Sequence, residues 1–426
     1  MEIRIGPAKS LSGAVRLPGD KSISHRFGML SAIADGTSTL HNFSTGADCH
    51  STLACMAALG IEIEKDGTNI TVHGKGLHGL RENSGILDAG NSGSTIRMLS
   101  GILAGQPFVT RIAGDESLAR RPMARIIKPL LEMGAEITAN DGSYPPLEIR
   151  GGKLKAIDYT PPVASAQVKS CVLFAGLYAD GVTVVREPIN TRDHSEIALN
   201  GFGAEISIMG NNVSVRGGVP LHARDLDVPG DLSSAAFYLV AATMAESANV
   251  LISNVGLNPT RSALLDFLVQ NGASIKIQDI RSAGGEIAGD LLVRSAKFRG
   301  GEITRALSAA LIDELPVLAV LGASSKDGLT VRDAAELRVK ETDRIATVAE
   351  NMRRMGIEIS TFEDGFHIPG NQKFHAAEVD SFGDHRIAMA FAVAALVADG
   401  ETVVKEAEAA SISFPEFYDM LNNLRS

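Results

Sequence analysis

The stretch that decides the fold is "DHRIAMAFAVAALVADGETVV" at residues 384–404. It begins with polar residues and continues as an apolar run, which is shorter than the ~20 residues that a membrane-spanning helix needs. A glycine and a β-branched segment follow at residues 400–404. The stretch therefore predicts a buried helix that ends in a glycine-containing turn and leads into a strand.

The same order of apolar helix, turn and β-rich run recurs along the chain at a period of about 70 residues, which indicates an internal repeat. The other copies lie at residues 24–40, 94–112, 166–185, 231–252 and 306–331. A second helix and a further strand follow most copies. The last such helix, at residues 414–426, has no strand after it, so we expect residues 1–19 to supply the missing strands of the last repeats.

The repeat unit is β-α-β-α-β-β, and six copies grouped in threes predict an α/β protein of two domains. We expect one domain at residues 20–228 and a discontinuous second domain at residues 1–19 plus 229–426. Pro-Gly turns mark both places where the chain changes domain, which predicts a two-strand hinge near residues 18–21 and 227–231.

Composition and charge narrow the class of protein. The chain has 426 residues with 40 basic and 50 acidic side chains, a formal net charge of −10 that argues against nucleic acid as a partner. Its three cysteines form no even disulfide framework and suit a reducing compartment. The N-terminal "MEIRIGPAKS" lacks the apolar segment of a signal peptide, so we expect a cytoplasmic protein without a membrane anchor.

Basic side chains recur in or beside the first turns of the predicted helices, where the helix dipole disfavours cations. The neighbouring Ser, Asp, Asn and Gly residues are ordinary N-caps and need no functional explanation. The cations do need one, because helix N-termini with arginine side chains are suited to binding phosphate or carboxylate groups. These cations are Lys21, Arg26, Arg97, Arg121, Arg192, Lys340, Arg344 and Arg386.

Two acidic groups are candidates for proton transfer. Asp313 lies in the apolar stretch 308–323, which we interpret as one buried helix, so it needs a partner or has a catalytic role. Lys340 and Arg344 are four residues apart, with Glu341 beside them, and would share one helix face. A solvent-exposed charge ladder is the alternative interpretation of this second group.

Other chemistries find little support. The stretch "CHSTLAC" at 49–55 lacks a second ligand pair for zinc, and "GNSGS" at 90–94 lacks a P-loop lysine. The chain also has no G-x-S-x-G nucleophile motif. We therefore expect a site for multiply anionic substrates that uses no metal and no cofactor.

Seven motifs in order resemble the EPSP synthase (5-enolpyruvylshikimate-3-phosphate synthase) family over essentially the whole chain. They are "LPGDKSISHR", "GNSGSTIR", "GDESLARRPM", "SAQVKS", "TRDH", "LRVKETDRI" and "GDHRIAMA". Two of them, "SAQVKS" and "TRDH", and the "RRPM" that ends a third, are similar to the class II bacterial branch. The resemblance implies the enolpyruvyl transferase fold, an inside-out α/β barrel of three βαβαββ repeats in each of two domains.

The resemblance also implies a reaction of the shikimate pathway to chorismate and the aromatic amino acids. Family members transfer the enolpyruvyl group of phosphoenolpyruvate to the 5-hydroxyl of shikimate-3-phosphate and release phosphate. Glyphosate competes with phosphoenolpyruvate in this family. The implied partners are these two small molecules only, with no nucleic acid and no membrane, and we expect a monomer.

The resemblance assigns site residues by position in the motifs. Those implied for shikimate-3-phosphate are Lys21, Ser22, Arg26, Ser165, Ala166, Gln167, Arg192, Asp313 and Lys340. Those implied for phosphoenolpyruvate are Lys21, Asn91, Gly93, Arg121, Gln167, Arg344 and Arg386. The implied catalytic residues are Asp313, Glu341 and Lys21. Glu336 stands where many members have Asn, Ala166 where many have a second serine, and a C-terminal lysine of some members is absent around Ile412.

Two alternatives stay open at this point. An enolpyruvyl transferase acting on UDP-N-acetylglucosamine shares the fold, but it usually carries a cysteine in the loop that is here "AGDESLARRP", residues 113–122. A non-catalytic protein that binds an anion would not need both Asp313 and Glu341. Phosphate release from phosphoenolpyruvate with either acceptor distinguishes the three possibilities.

Overall fold

The computed structural model describes residues 1–425 and divides into two compact units. The first unit comprises Met1–Pro18, Pro229–Ser282 and the chain from Ile287 onward, and the second comprises Gly19–Val228 with Ala283–Glu286. Residues 283–286 therefore pack with the unit that the sequence analysis gave to residues 20–228. The hinge near residues 18–21 and 227–231 stays a prediction.

The first unit begins with β1 (Ile3–Ile5) and β2 (Ser10–Arg16). The elements of the second unit follow in chain order: α1 (Lys21–Ala32), β3 (Asp35–His41), α2 (Ala47–Ala58), β4 (Glu62–Asp66), β5 (Asn69–Lys75), β6 (Ile86–Asp88), α3 (Gly93–Ala104), β7 (Val109–Ala113), α4 (Glu116–Ala119), α5 (Ala124–Met133), β8 (Glu136–Asn140), β9 (Tyr144–Arg150), β10 (Leu154–Lys155), β11 (Asp158–Tyr159), α6 (Ala166–Gly176), β12 (Ala179–Asp180), β13 (Val182–Arg186), α7 (His194–Gly201), β14 (Ile206–Met209), β15 (Asn212–Arg216) and β16 (Leu226–Asp227).

The remaining elements of the first unit are α8 (Leu232–Met244), β17 (Ser247–Gly256), α9 (Ala263–Gln270), β18 (Ser274–Ala283), β19 (Glu286–Arg294), β20 (Gly301–Ile303), α10 (Arg305–Ala310), α11 (Leu315–Ser324), β21 (Leu329–Val331), α12 (Arg344–Arg354), β22 (Ser360–Phe362), β23 (Gly365–Ile368), β24 (Glu378–Asp380), α13 (His385–Ala395), β25 (Thr402–Lys405) and α14 (Phe417–Leu424). Two short 3₁₀ helices lie at Ala335–Val339 and Ala407–Ile412.

Each repeat contributes a small mixed sheet with a recurring strand order. In the second unit the orders are β16-β3-β5-β4, β6-β7-β9-β8 and β11-β13-β15-β14. In the first unit they are β18-β19-β17-β2, β20-β21-β23-β22 and β1-β25-β24. Each of these six sheets contains one parallel pair, such as β6 with β7, next to an antiparallel pair, such as β7 with β9. β10 and β12 form a separate two-stranded parallel sheet in the second unit. This recurrence agrees with the predicted βαβαββ repeat and α/β fold class.

Strands that are distant in the chain complete three of these sheets. β1 pairs antiparallel with β25, as expected for a strand that completes the last repeat. β2 instead pairs in parallel with β17, so it completes the fourth repeat rather than the last. In the second unit β16, the last strand of that unit in the chain, pairs in parallel with β3 and completes the sheet of the first repeat. The prediction that residues 1–19 complete the last repeats is therefore confirmed for β1 but wrong for the partner of β2, which nevertheless lies in the expected unit.

Helix starts are capped by short polar side chains, as the sequence indicates. Asp20, Ser92, Ser165, Asp343 and Asp384 each accept a hydrogen bond from a backbone N–H two or three positions further on. These bonds satisfy amide groups that have no partner inside the helix. The caps are thus ordinary, and it is the cations beside them that require an explanation.

Each unit has its own hydrophobic core. In the second unit α3 and α6 pack with buried side chains such as Leu99 and Phe174, and in the first unit α8, α11 and α13 contribute side chains such as Leu239 and Phe391. These helices are buried on most sides, as their apolar sequences predict. Within residues 1–425, no helix combines the length and the apolar character needed to cross a bilayer.

Candidate active site

Helix α1 carries the first group of predicted site residues in the second unit. Lys21 is its first residue, and its ammonium lies 3.0 Å from the carboxylate of Asp48. Ser22 follows, and Arg26 lies one turn further on, where it is 3% exposed. The Asp20 cap holds the start of this helix, so Lys21 is fixed at the positive end of the helix dipole.

Arg26 is bound by neutral oxygen atoms. Its Nε donates to Ser195 Oγ at 2.7 Å, its Nη2 to Ser170 Oγ at 2.8 Å and its Nη1 to the carbonyl of Ser22 at 2.8 Å. Burial lowers the pKa of Arg26 to about 10, and the nearby Glu196 opposes that shift. A buried guanidinium whose direct acceptors are all uncharged is suited to binding an anion.

The turn before α3 brings two predicted residues together. Arg121 Nη2 donates to the side-chain oxygen of Asn91 at 2.9 Å, and Arg121 also donates to Ser117 Oγ at 3.0 Å. The amide of Asn91 in turn donates to Asp115 at 2.8 Å. Gly93 is the first residue of α3, and a Cβ built there would lie 2.9 Å from Nη1 of Arg97.

Gln167 links α6 to α3. Its side-chain oxygen accepts from Arg97 Nη1 at 2.7 Å, and its amide donates to Ser94 Oγ at 3.0 Å. Ser165 caps α6 and Ala166 is its first residue. Arg97 therefore belongs with this group, although the sequence analysis noted it only as a helix-start cation and assigned it no ligand.

Arg192 lies in the loop between β13 and α7. Its positive charge contributes to the lowered pKa of Arg26, although burial is the main cause. The structure thus places Arg192 within electrostatic range of α1, as a common anion site would require.

In the first unit the acidic candidates surround Arg344, which is 1% exposed. Its Nε donates to Asp384 at 2.8 Å and its Nη2 to Glu341 at 2.6 Å, while Nη1 lies 3.8 Å from Asp313. Burial alone would lower the pKa of Arg344, but Asp384, Glu341 and Asp313 together outweigh it and raise the pKa. Burial would likewise raise the pKa of Asp384, yet Arg344 holds it below the usual range.

Two further cations complete this cluster. Lys340 Nζ lies 3.4 Å from the carboxylate of Asp313. Arg386 Nη1 donates to the backbone carbonyl of Asp313 at 2.8 Å and lies 3.6 Å from Glu314. Asp313 is therefore the residue at which Lys340, Arg344 and Arg386 meet.

Two local predictions were wrong in this region. Asp313 does not lie inside one long helix, because α10 ends at Ala310 and α11 begins at Leu315. Pro316 stands at the start of α11, where its missing N–H is tolerated, and it is unsuited to the interior of a continuous helix. Lys340 and Arg344 do not share a helix face either, since Lys340 precedes α12, and they meet at Asp313 instead.

Two of the three positions that depart from the family pattern lie on the 3₁₀ helices, and the third, Ala166, begins α6. Glu336 is exposed on the helix Ala335–Val339, and Ile412 ends the helix Ala407–Ile412. Asp384, Ser170 and Ser195 are partners of the predicted arginines that were not expected from the sequence. Asp384 could have been found from "GDHR", because a carboxylate at an N-cap next to an arginine is a ready acceptor.

The repeats and the cationic, capped helix starts of both units are features of the enolpyruvyl transferase class. A family model described as EPSP synthase (3-phosphoshikimate 1-carboxyvinyltransferase) matches residues 5–421. The chain is 62% identical over 424 residues to a 3-phosphoshikimate 1-carboxyvinyltransferase of Solibacter usitatus, covering 100% of both chains. It is 54% identical to the protein of the same name from Koribacter versatilis, covering 99% of each. A solved structure of EPSP synthase from Acinetobacter baumannii is 41% identical, with a TM-score of 0.90 over 100% of this chain and 98% of that chain.

This chain therefore belongs to the EPSP synthase family.

Proposed function

We propose that the protein transfers the enolpyruvyl group of phosphoenolpyruvate to the 5-hydroxyl of shikimate-3-phosphate and releases phosphate. The observation that carries the proposal is the cluster around Arg344, in which Asp313, Glu341 and Asp384 surround one buried guanidinium. Such a cluster can hold an anion and also supply carboxylates for proton transfer. Family membership over nearly the whole chain supports the same conclusion.

The second unit supplies groups for both substrates. We assign shikimate-3-phosphate to Lys21, Ser22 and Arg26 of α1, to the start of α6 and to Arg192. Capped helix N-termini and guanidinium groups are suited to a phosphate. We assign phosphoenolpyruvate to Lys21, Arg121 and Gln167 and to the turn at Asn91 and Gly93. The Asn91–Arg121 hydrogen bond at 2.9 Å supports this second assignment, because it fixes the arginine next to the turn.

The first unit supplies the chemistry. We assign Asp313 to accept the proton of the attacking hydroxyl, with Lys340 beside it at 3.4 Å. As the hydroxyl oxygen bonds to C2 of phosphoenolpyruvate, Glu341 delivers a proton to C3. Glu341, now a carboxylate, then takes a proton back from C3, which expels phosphate from C2 and leaves the enol ether. Arg344 and Arg386 would hold the anionic groups of phosphoenolpyruvate during both steps.

The test is phosphate release from phosphoenolpyruvate with two alternative acceptors. The proposal predicts turnover with shikimate-3-phosphate and none with UDP-N-acetylglucosamine. Turnover with the nucleotide sugar alone would favour the related transferase. No phosphate release with either acceptor, from protein shown to be folded, would contradict an enzymatic function altogether.

The location and assembly proposed from the sequence are those of a cytoplasmic monomer. The three cysteines are buried and free, which suits a reducing compartment. Size-exclusion chromatography with light scattering should give the mass of one chain. A mass of two chains or more that persists on dilution would contradict the monomer.

A further inference from the structure

Two serines beneath Arg26 form a hydroxyl pair with a defined hydrogen-bond direction. Ser170 Oγ donates to the carbonyl of Ala166 at 2.6 Å, so its only proton is committed to that bond. The 2.6 Å contact between Ser170 and Ser195 must then be donated by Ser195. Both hydroxyl oxygens keep lone pairs for the guanidinium, and Arg26 donates to each of them. Both serines are 0% exposed.

A buried ion pair lies directly beside this hydroxyl pair in the sequence. Lys169 precedes Ser170 on α6, and Glu196 follows Ser195 on α7. The Lys169 ammonium lies 2.6 Å from Glu196 and 2.8 Å from Glu187, and it is 1% exposed. Helices α6 and α7 are therefore joined by two adjacent bonds, one ionic and one between hydroxyls.

The three segments that meet here are those assigned to shikimate-3-phosphate. α1 carries Arg26, α6 begins at Ala166 next to its cap, and Arg192 precedes α7 by two residues. Because Arg26 bonds one serine of α6 and one of α7, a shift of α6 against α7 would disturb these bonds and the spacing of the three segments. The bonds between these helices are thus placed to control the geometry of an anion site without any contact with the anion.

We propose that Ser170 and Ser195 are positioning residues that hold the Arg26 guanidinium for shikimate-3-phosphate, with the Lys169–Glu196 pair fixing α6 against α7 beneath them. This inference rests on the proposed function. Neutral hydroxyl acceptors orient the guanidinium and leave its charge for the substrate, whereas a carboxylate at the same place would neutralise it. Three of the five N–H groups of Arg26 are used in this way, so at most two remain for hydrogen bonds to the substrate.

The experiment compares Ser195→Ala and Ser170→Ala with the wild type in steady-state kinetics. A group that orients a binding arginine affects ground state and transition state alike, so KM should change and kcat should not. We expect KM for shikimate-3-phosphate to rise about tenfold in each variant, as for loss of one hydrogen bond to a charged group. KM for phosphoenolpyruvate and kcat should stay within about twofold of the wild type.

Ser100→Ala is the matched control. Ser100 is also 0% exposed, lies in the same unit and donates to the carbonyl four residues earlier at 2.6 Å, as Ser170 does. Among the described residues, its side chain has no hydrogen bond to any of the assigned groups, so its loss should leave both KM values unchanged. If Ser100→Ala raised KM for shikimate-3-phosphate as much as Ser195→Ala, the effect would be general and the inference would be overturned.

A double-mutant cycle tests whether the serines act through Arg26. In an Arg26→Lys background the ammonium cannot make the paired bonds, so Ser195→Ala should add little further increase in KM. Fully additive effects would overturn the inference, as would an unchanged KM in both serine variants of an active enzyme. A folded wild type that releases no phosphate would instead overturn the proposed function, and this inference with it.

Discussion

The two buried arginines at the proposed sites have opposite environments. Arg26 in the second unit donates to two hydroxyls and a carbonyl, and burial lowers its pKa to about 10. Arg344 in the first unit is similarly buried but is bonded to Asp384 and Glu341, and its pKa is raised despite burial. The residue type is the same and the burial is similar, but the acceptors differ.

The comparison shows how one side chain serves two purposes. The charge of Arg26 is left uncompensated by its direct partners, so it is available to a phosphate group. The charge of Arg344 is already matched by carboxylates, and we propose that two of these, Asp313 and Glu341, exchange protons with the substrate. We infer that the second unit binds, whereas the first unit both binds and performs the chemistry.

The largest effect should come from removing the proposed base in the carboxylate cluster. We expect Asp313→Ala to lower kcat by about 10²–10⁴-fold, the usual contribution of a positioned general base. The phosphate-release assay measures this directly. Because the Arg26 region lies in the other unit, binding of shikimate-3-phosphate should persist, and calorimetry provides that control. Near-normal turnover would show that Asp313 is not the base.

Removing Arg344 should lower the free energy of unfolding much more than removing Arg26. Arg344→Met leaves Asp384 and Glu341 without their cation, and breaking a buried ion pair in this way costs about 3–5 kcal/mol of unfolding free energy. Arg26→Met leaves only hydroxyls and a carbonyl, for which we expect about 1–3 kcal/mol. Urea unfolding of both variants measures the two values. Equal destabilisation would mean that the different acceptors have no energetic consequence.

The second carboxylate should affect one proton transfer. Glu341→Gln keeps the shape and an oxygen acceptor for Arg344 but cannot deliver a proton, so we expect kcat to fall by about 10²-fold. The variant should also slow the exchange of deuterium from solvent into C3 of phosphoenolpyruvate. If turnover fell while this exchange kept its wild-type rate, the role assigned to Glu341 would be wrong.

His25, next to Arg26, should make the stability depend on pH. Burial lowers its pKa from 6.5 to about 3, with Asp48 opposing the shift, and its Nδ1 lies 2.7 Å from Thr52 Oγ1. Below pH 6.5 the unfolded chain takes up a proton on His25, whereas the folded protein does so only near pH 3. The contribution of His25 to the free energy of unfolding is therefore complete above pH 6.5 and is lost as the pH falls toward 3. Between pH 7 and pH 5 this loss should be about 2 kcal/mol. Between the same two pH values, the free energy of unfolding of His25→Asn should fall by about 2 kcal/mol less than that of the wild type. Urea unfolding at each pH measures this, and an equal fall in both proteins would contradict the prediction.

The smallest effect concerns Gly93 and glyphosate. A Cβ at this position would lie 2.9 Å from Nη1 of Arg97, the flexible end of a side chain that also bonds Gln167. Because that end can move, we expect Gly93→Ala to weaken glyphosate inhibition by only about 1 kcal/mol and phosphoenolpyruvate binding by less. Competition kinetics on both proteins give the two constants. An equal change for both ligands would show that Gly93 does not discriminate between them.

Much of the fold could be predicted from the sequence because each repeat can be recognised from residues that are close together in the chain. Apolar helices, glycine turns and β-branched runs specify each βαβαββ unit without long-range information. The pairing of β2 with β17 and of β16 with β3 could not be predicted, because strand partners so distant in the chain leave no local signal. The break between α10 and α11 could have been predicted, since Pro316 indicates a helix start.

The site was only partly accessible from the sequence. Helix-start cations are visible because they oppose the dipole, so Lys21, Arg344 and Arg386 stood out. Ser170, Ser195 and Lys169 did not, because a serine or lysine on a helix has no feature that reveals its partner. The sequence also did not reveal that Lys340 and Arg344 meet at Asp313, because this contact depends on how segments distant in the chain pack together.

The most direct test of the account is NMR of the reaction with phosphoenolpyruvate labelled with ¹³C at C2. Incubation with the protein and shikimate-3-phosphate should replace the signal of the enol phosphate with that of an enol ether carbon, while ³¹P spectra show one inorganic phosphate for each ether formed. Asp313→Ala under the same conditions should leave the substrate signal unchanged over the time in which the wild type completes the reaction. Inorganic phosphate without the enol ether, or no change with folded wild-type protein, would contradict the proposed transfer.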